Sequence, residues 1–282
     1  MAFRNKHGLD RNIPAGIKRE VRQRCGFGCV ICGSALYEYE HFNPTFAEAK
    51  EHSAEGIVLL CRNHHGGKGT LTAPSLIESA RKDPFALRLG HTTGEMEHGS
   101  SQPALRIGSN IGRDVDVMLH VLGDDVLSLL PPEQEGAPYR VTARFKDRSG
   151  ETILEIVENE IRASTGNWDI EFVGQHLIIR DSGGVSLRAT IQAGVEVGFD
   201  EFLISHSGVE VWAEPDGRIW AALPDGAMTY SSGWTIEHAA YFMLIEQNGL
   251  VMGRPRPGGF VNGHQGETVF VSAEALKDHK TP

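Results

Sequence analysis

Apolar and polar positions follow two different rhythms along this chain. Between Pro14 and Arg24 (PAGIKREVRQR), Ile17 and Val21 recur at i and i+4, and Lys18, Arg19, Arg22 and Arg24 fall mostly on the other side. That spacing predicts a short helix with Pro14 near its first turn. Thr72 to Lys82 (TAPSLIESARK) predicts a second helix, with Thr72 placed to cap it. From Arg106 onward the period drops to two. Val115, Val117, Leu119 and Val121 alternate with polar or small residues, as do Val141 to Phe145, Ile170 to Ile179 and Val209 to Trp212. Pro215-Asp216-Gly217 and Pro224-Asp225-Gly226 are turn signals on either side of Arg218 to Leu223. Thr235 to Gln247 reads as the one helix of this part, with a strand as the alternative. Gly90 to Pro103 (GHTTGEMEHGSSQP) has little apolar periodicity and reads as a linker. No internal repeat is evident. The expectation is an α+β chain: a small module at 1–90, a linker at 91–105 and a β-rich domain at 106–282.

Composition narrows the class. The chain has 282 residues, 40% of them hydrophobic and 23% charged, which excludes a disordered or collagen-like polymer. No apolar run approaches the ~18 residues of a membrane span. Met1 to Asp10 holds no apolar signal-peptide core. The expected location is therefore the cytoplasm, where thiols stay reduced. The formal charge of -10 looks wrong for a nucleic-acid binder, but it is unevenly spread. Residues 1–90 carry 13 Lys and Arg against 9 Asp and Glu, whereas 91–282 carry 14 against 28. A mildly basic head followed by an acidic remainder is compatible with a polyanion-binding module.

All four cysteines fall between Cys25 and Cys61, and five of the 13 histidines lie in the first 90 residues. Cys29 and Cys32 form one C-x2-C pair, and Cys61 and His64 form a C-x2-H pair. A two-residue gap lets the chain turn and aim both side chains at one ion. Two such pairs supply the four tetrahedral thiolate or imidazole ligands that zinc prefers. Cys25 is the alternative to His64 as fourth ligand; the spacing favours His64.

The segments between and after these pairs carry a resemblance. Glu38 to Pro44 reads EYEHFNP, and Gly56 to Gly69 reads GIVLLCRNHHGGKG. Together they resemble the HNH endonuclease family, the ββα-metal nucleases, over about residues 14–70. The family pattern is a zinc knuckle, then acidic-His-x-x-Pro, then Asn shortly before an apolar run ending in Cys. A second knuckle follows, with a His directly after it and a Lys three further on. Here those places hold Cys29 and Cys32, Glu40-His41-Phe42-Asn43-Pro44, Leu60-Cys61, His64, His65 and Lys68. The resemblance implies hydrolysis of DNA, most often double-stranded, with His41 as general base. It implies Glu40 and His65 as ligands of a catalytic Mg²⁺ or Mn²⁺. Lys68 would meet phosphate or position the site. The zinc on Cys29, Cys32, Cys61 and His64 would be structural, clamping a hairpin that carries Glu40 and His41 against a helix that carries His65. This chain departs from the pattern twice. Glu40 stands where Asp is commoner, and Gly56 stands where Asn normally ties the loop of the base histidine.

Other residues fit the picture by position only. Arg19, Arg22, Arg24 and Arg62 are candidate contacts to a DNA backbone. His7 and His52 have no assigned role. Trp168, Trp212, Trp220 and Trp234 read as core or sheet-face residues. An acidic domain over 106–282 suits oligomerisation, sensing of a ligand or protein, or restraint of the nuclease. A dimer of heads would cut both strands where one would nick. The competing expectation is a zinc-containing DNA-binding or ligand-sensing protein with weak or no nuclease activity.

Overall fold

A computed structural model describes residues 4–65, 72–96, 101–247, 249–264 and 266–271. The chain is mixed α+β and consists mostly of strands. It divides into two compact units. One comprises Met1–Gly94 together with Arg162–Phe172 and Arg180–Ser182; the other holds Glu95–Ile161, Val173–Ile179 and Gly183–Pro282.

In the first unit, helix α1 spans Ala15–Arg24, directly after Pro14. Its Val21 is fully buried, with Ile17 packed against the same cluster, as the i, i+4 spacing requires. Strand β1 (Glu38–His41) pairs antiparallel with β2 (Ile57–Leu60), in the register Glu38 opposite Leu60 and His41 opposite Ile57. All four β2 residues are buried, which explains why Ile57-Val58-Leu59-Leu60 is a continuous apolar run rather than an alternating one. They pack with Ile13, Val21, Val30, Ala54 and Ile77. Helix α2 (Pro74–Ala80) begins one residue after Ala73, and no side chain caps it. Pro74 sets its start, so Thr72 does not take the capping place expected of it. Helix α3 (Phe85–Leu89) ends at Gly90 in the left-handed region.

The stretch read as a linker contains strand β3, His91–Glu95. Thr92 is completely buried and donates its hydroxyl proton to the Gly33 carbonyl at 2.7 Å. Thr93 donates its amide to Gly33 and accepts from Ala35. The Gly, Ser and Thr content reads as loop, but these threonines pair with the turn that follows Cys32.

The second unit is built mainly from antiparallel pairs, with parallel ones where the chain returns. Asn110–Val121, Asp124–Leu130, Arg140–Lys146 and Thr152–Val157 pair in sequence. Glu196–His206, Val209–Ala213, Ile219–Ala222 and Met228–Ser232 form a second series. Thr235–Glu246 is a strand, not a helix, and lies parallel to Asn110–Val121. Its buried positions include Phe242, Met243, Leu244 and Ile245 in one run, which sequence periodicity cannot distinguish from a buried helix. The expected alternation holds in Arg140–Lys146, where Val141, Ala143 and Phe145 are buried. Phe145 meets Phe199 with ring centroids 4.8 Å apart. The two-residue turn at Leu122 and Gly123 has positive φ at both positions (48° and 96°), which a tight right-twisting hairpin demands.

Candidate functional site

Cys29 and Cys32 sit on a turn closed by the Gly33 amide, which donates to the Cys29 carbonyl at 2.7 Å. Cys61 directly follows β2, and the amides of His64 and His65 fold back onto the Cys61 carbonyl at 2.9 and 2.6 Å. These two turns bring Cys29, Cys32, Cys61 and His64 together, all four ligand atoms lying within 4.8 Å of one another. The Sγ atoms of Cys32 and Cys61 are 3.7 Å apart. His64 Nδ1 is 3.5 Å from Cys29 Sγ and 3.2 Å from Cys61 Sγ. A tetrahedral zinc with ordinary bond lengths needs edges of about 3.8 Å between sulfurs and about 3.6 Å between sulfur and nitrogen. The quartet thus could hold a metal such as zinc. The hydrogen bond between Cys32 and Cys29 lowers the Cys29 thiol, with help from backbone amides, and raises that of Cys32, so the pair gives up its first proton readily and holds the second. Cys25 lies outside the quartet. It is packed in the core, and burial pushes its thiol up to about 11.

Beside this cluster, Glu40 and His65 meet. Glu40 Oε2 lies 2.8 Å from His65 Nε2, while Glu38 Oε2 is 3.3 Å from His65 Nδ1. His65 is carried on the turn that begins at Cys61; the helix expected to hold it is not seen at Arg62–His65. Lys68 lies outside the described residues. His41, at the end of β1, is buried and contacts Phe46 edge-on. Burial lowers its pKa below the ordinary imidazole value, helped by His52 and Arg11 nearby. Glu40 and His41 line a cleft of about 400 Å³ that also holds Arg11, Lys18, Tyr37 and Glu38. Both also line a second, more apolar cavity of about 620 Å³ with Phe42, Leu60 and Ile77.

Gly56 stands where the HNH resemblance expects Asn. Its carbonyl accepts the amide protons of Phe42 and Asn43 at 2.9 and 3.2 Å. A Cβ there would stand 2.9 Å from the Asn43 carbonyl oxygen. The loop after His41 is therefore tied to position 56 through the backbone, and the tie is close enough that a side chain does not fit.

Of the arginines placed by position, Arg22 is not available to DNA. It is buried, with Nε and Nη2 each 2.7 Å from Asp169, Nη2 2.7 Å from Glu171 and Nη1 2.8 Å from the Tyr39 hydroxyl. Arg24 and Arg62 are exposed. Arg19 lies over the ring of Trp168 at 4.5 Å, and Trp168 is 39% exposed and outside any strand, so it is neither core nor sheet face. Trp212 and Trp220 do stack across adjacent strands. Two residues beside His41 carried no sequence signal. Arg11 and His52 belong to no fixed spacing, and only the folded chain brings them there. No helix among the described residues is long and apolar enough to cross a membrane. No protein-family model matches the chain, and neither a curated protein nor a solved structure matches it.

Proposed function

We propose that the first unit is a metal-dependent endonuclease head that hydrolyses DNA phosphodiester bonds, with zinc as its structural ion. The observation that carries this reading is the 2.8 Å approach of Glu40 Oε2 to His65 Nε2, beside a buried His41 that shares a cleft with Glu40. Two neighbouring ligands of an octahedral Mg²⁺ or Mn²⁺ stand about 2.9 Å apart, so this oxygen and nitrogen fit adjacent ligand positions. Three thiolates and an imidazole select zinc at the other site and leave it no open position.

A bound divalent cation would supply Lewis-acid stabilisation of charge on the scissile phosphate and the leaving oxygen. The side chains supply the rest. His41, held neutral, takes the proton of a water as its oxygen joins phosphorus, and the 3′ oxygen leaves with its bonding pair. Arg11 and Lys18 on the cleft wall offset phosphate charge. The zinc-holding turns fix His65 relative to Glu40, because His64 and His65 share one turn. The acidic 106–282 region is assigned a controlling or pairing role rather than contact with DNA.

Supercoiled plasmid incubated with the full chain and Mg²⁺ or Mn²⁺ tests the reading. Nicked or linear product is expected, and His41→Ala should reduce it by about 100-fold or more. A shift of DNA mobility with no cleavage under either ion would replace the nuclease by a binding module.

A further inference from the structure

The family pattern gives no role to the group nearest His41. His52 Nδ1 lies 3.0 Å from His41 Nε2, with the rings tilted by 50°. Two imidazole nitrogens at that distance share one hydrogen: one donates and the other accepts. A neutral imidazole carries its proton on a single nitrogen, so this contact decides which nitrogen of His41 is basic. When His52 Nδ1 accepts, His41 carries its proton on Nε2 and keeps the lone pair on Nδ1. When His52 Nδ1 donates, His41 carries its hydrogen on Nδ1, and its one lone pair, on Nε2, is occupied by the His52 N–H instead of facing water. The first arrangement puts the proton of both rings on Nε2, the intrinsically favoured tautomer of a neutral histidine side chain.

The loop that carries His52 is fixed. Asn5 Nδ2 donates to the carbonyls of Phe46 and Ala49, each at 2.6 Å. Ala49 and Ala54 are both buried and bracket the segment. Ser53 donates its hydroxyl proton to Glu55 at 2.6 Å. A partner on so anchored a segment can orient His41 as well as accept from it.

We propose that His52 is a positioning residue. It accepts the Nε2 proton of His41 and holds His41 in the tautomer whose Nδ1 can take a proton from water. The proposal rests on the reading of His41 as general base, but its hydrogen bond can be tested apart from that reading. Nitrogen-15 NMR of the full, zinc-loaded chain labelled at histidine reports the tautomer directly, with the His41 signals identified by their loss in His41→Gln. The protonated nitrogen is expected to be Nε2. His52→Gln offers a carbonyl acceptor and should preserve that tautomer, with kcat for plasmid cleavage within about 10-fold of the parent. His52→Lys can only donate; it should move the proton to Nδ1 and lower kcat by about 100-fold or more with KM unchanged. Thermal melting and zinc content verify that both variants are folded. A proton on His41 Nδ1 in the parent overturns the proposal, as does a His52→Lys chain that cleaves like His52→Gln. If no plasmid is cut by the parent, the nuclease reading falls, and the tautomer still decides whether His52 holds His41 as stated.

Discussion

At the scale of single residues, spacing made the cluster of Cys29, Cys32, Cys61 and His64 legible, because two x2 gaps specify turns whatever surrounds them. Cys25 and His64 competed on the sequence alone, and the turn after Cys61 separates them by geometry. The consequence is measurable. Cys25→Ser should retain one zinc per chain by elemental analysis, whereas His64→Ala should lose it or bind it far more weakly, with a lower melting temperature. Gly56 was legible only as a missing Asn. The folded chain gives it a cause: its carbonyl holds the loop after His41, and the Asn43 carbonyl leaves no space for a Cβ. Gly56→Asn, the residue that the HNH resemblance expects there, should therefore destabilise the head by about 1–3 kcal/mol rather than improve it, since a backbone carbonyl must move. Denaturant unfolding measures that loss, and plasmid cleavage should fall with it. His52 left no mark in the sequence because its place beside His41 depends on how the loop from Asn43 to Ser53 closes.

At the scale of elements, α1 followed from its i, i+4 pair and its proline. The strands with one buried face followed from alternation. Two elements did not. Thr235–Glu246 ends in a run of buried apolar residues, where period carries no information. Strand β3 hides in a Gly, Ser and Thr sequence because its threonines pair by hydrogen bonds rather than by apolar burial. The polar face assigned to α1 was also incomplete, since Arg22 turns inward. Its partner Asp169 is 147 positions away, side chain 3% exposed, and joins the first unit through the inserted segment Arg162–Phe172. Removing Arg22 leaves the buried Asp169 charge with Arg180 Nη1, at a longer 3.3 Å, as its remaining ionic partner. Arg22→Ala should cost about 3–5 kcal/mol, and Arg22→Met combined with Asp169→Leu much less. Denaturant melts of the single and double variants give the comparison; equal losses would mean that the buried pair is not the cause.

At the scale of the whole molecule, the charge imbalance was visible in the sequence, while the path of the chain was not. A unit that takes in residues 162–172 and 180–182 is assembled by pairings that no local pattern encodes. The acidic second unit holds much of its charge in pairs, and one of them sets a pH response. Arg256 donates two hydrogen bonds to each of the Asp114 and Asp116 carboxylates, and His238 meets Asp114 at 2.6 Å. Hydrogen bonds from Arg256, with smaller ones from His238 and Gln102, pull the Asp114 carboxyl from its ordinary 3.8 to about 2. A carboxyl depressed by folding stabilises the native state above its ordinary value. That contribution is lost as pH falls from about 4 toward 2, where the folded chain must also take up the proton. The side chain is partly exposed, so solvent screens the effect and it will be modest. Thiolate and imidazole ligands also release a metal in acid, so the melting temperature of the parent alone cannot isolate Asp114. The difference between the parent and Asp114→Asn can. At about pH 5 the parent should melt higher than the variant; by about pH 2 the gap should close. A gap that persists unchanged into acid would mean that the Arg256 pair contributes no net stability through the Asp114 charge.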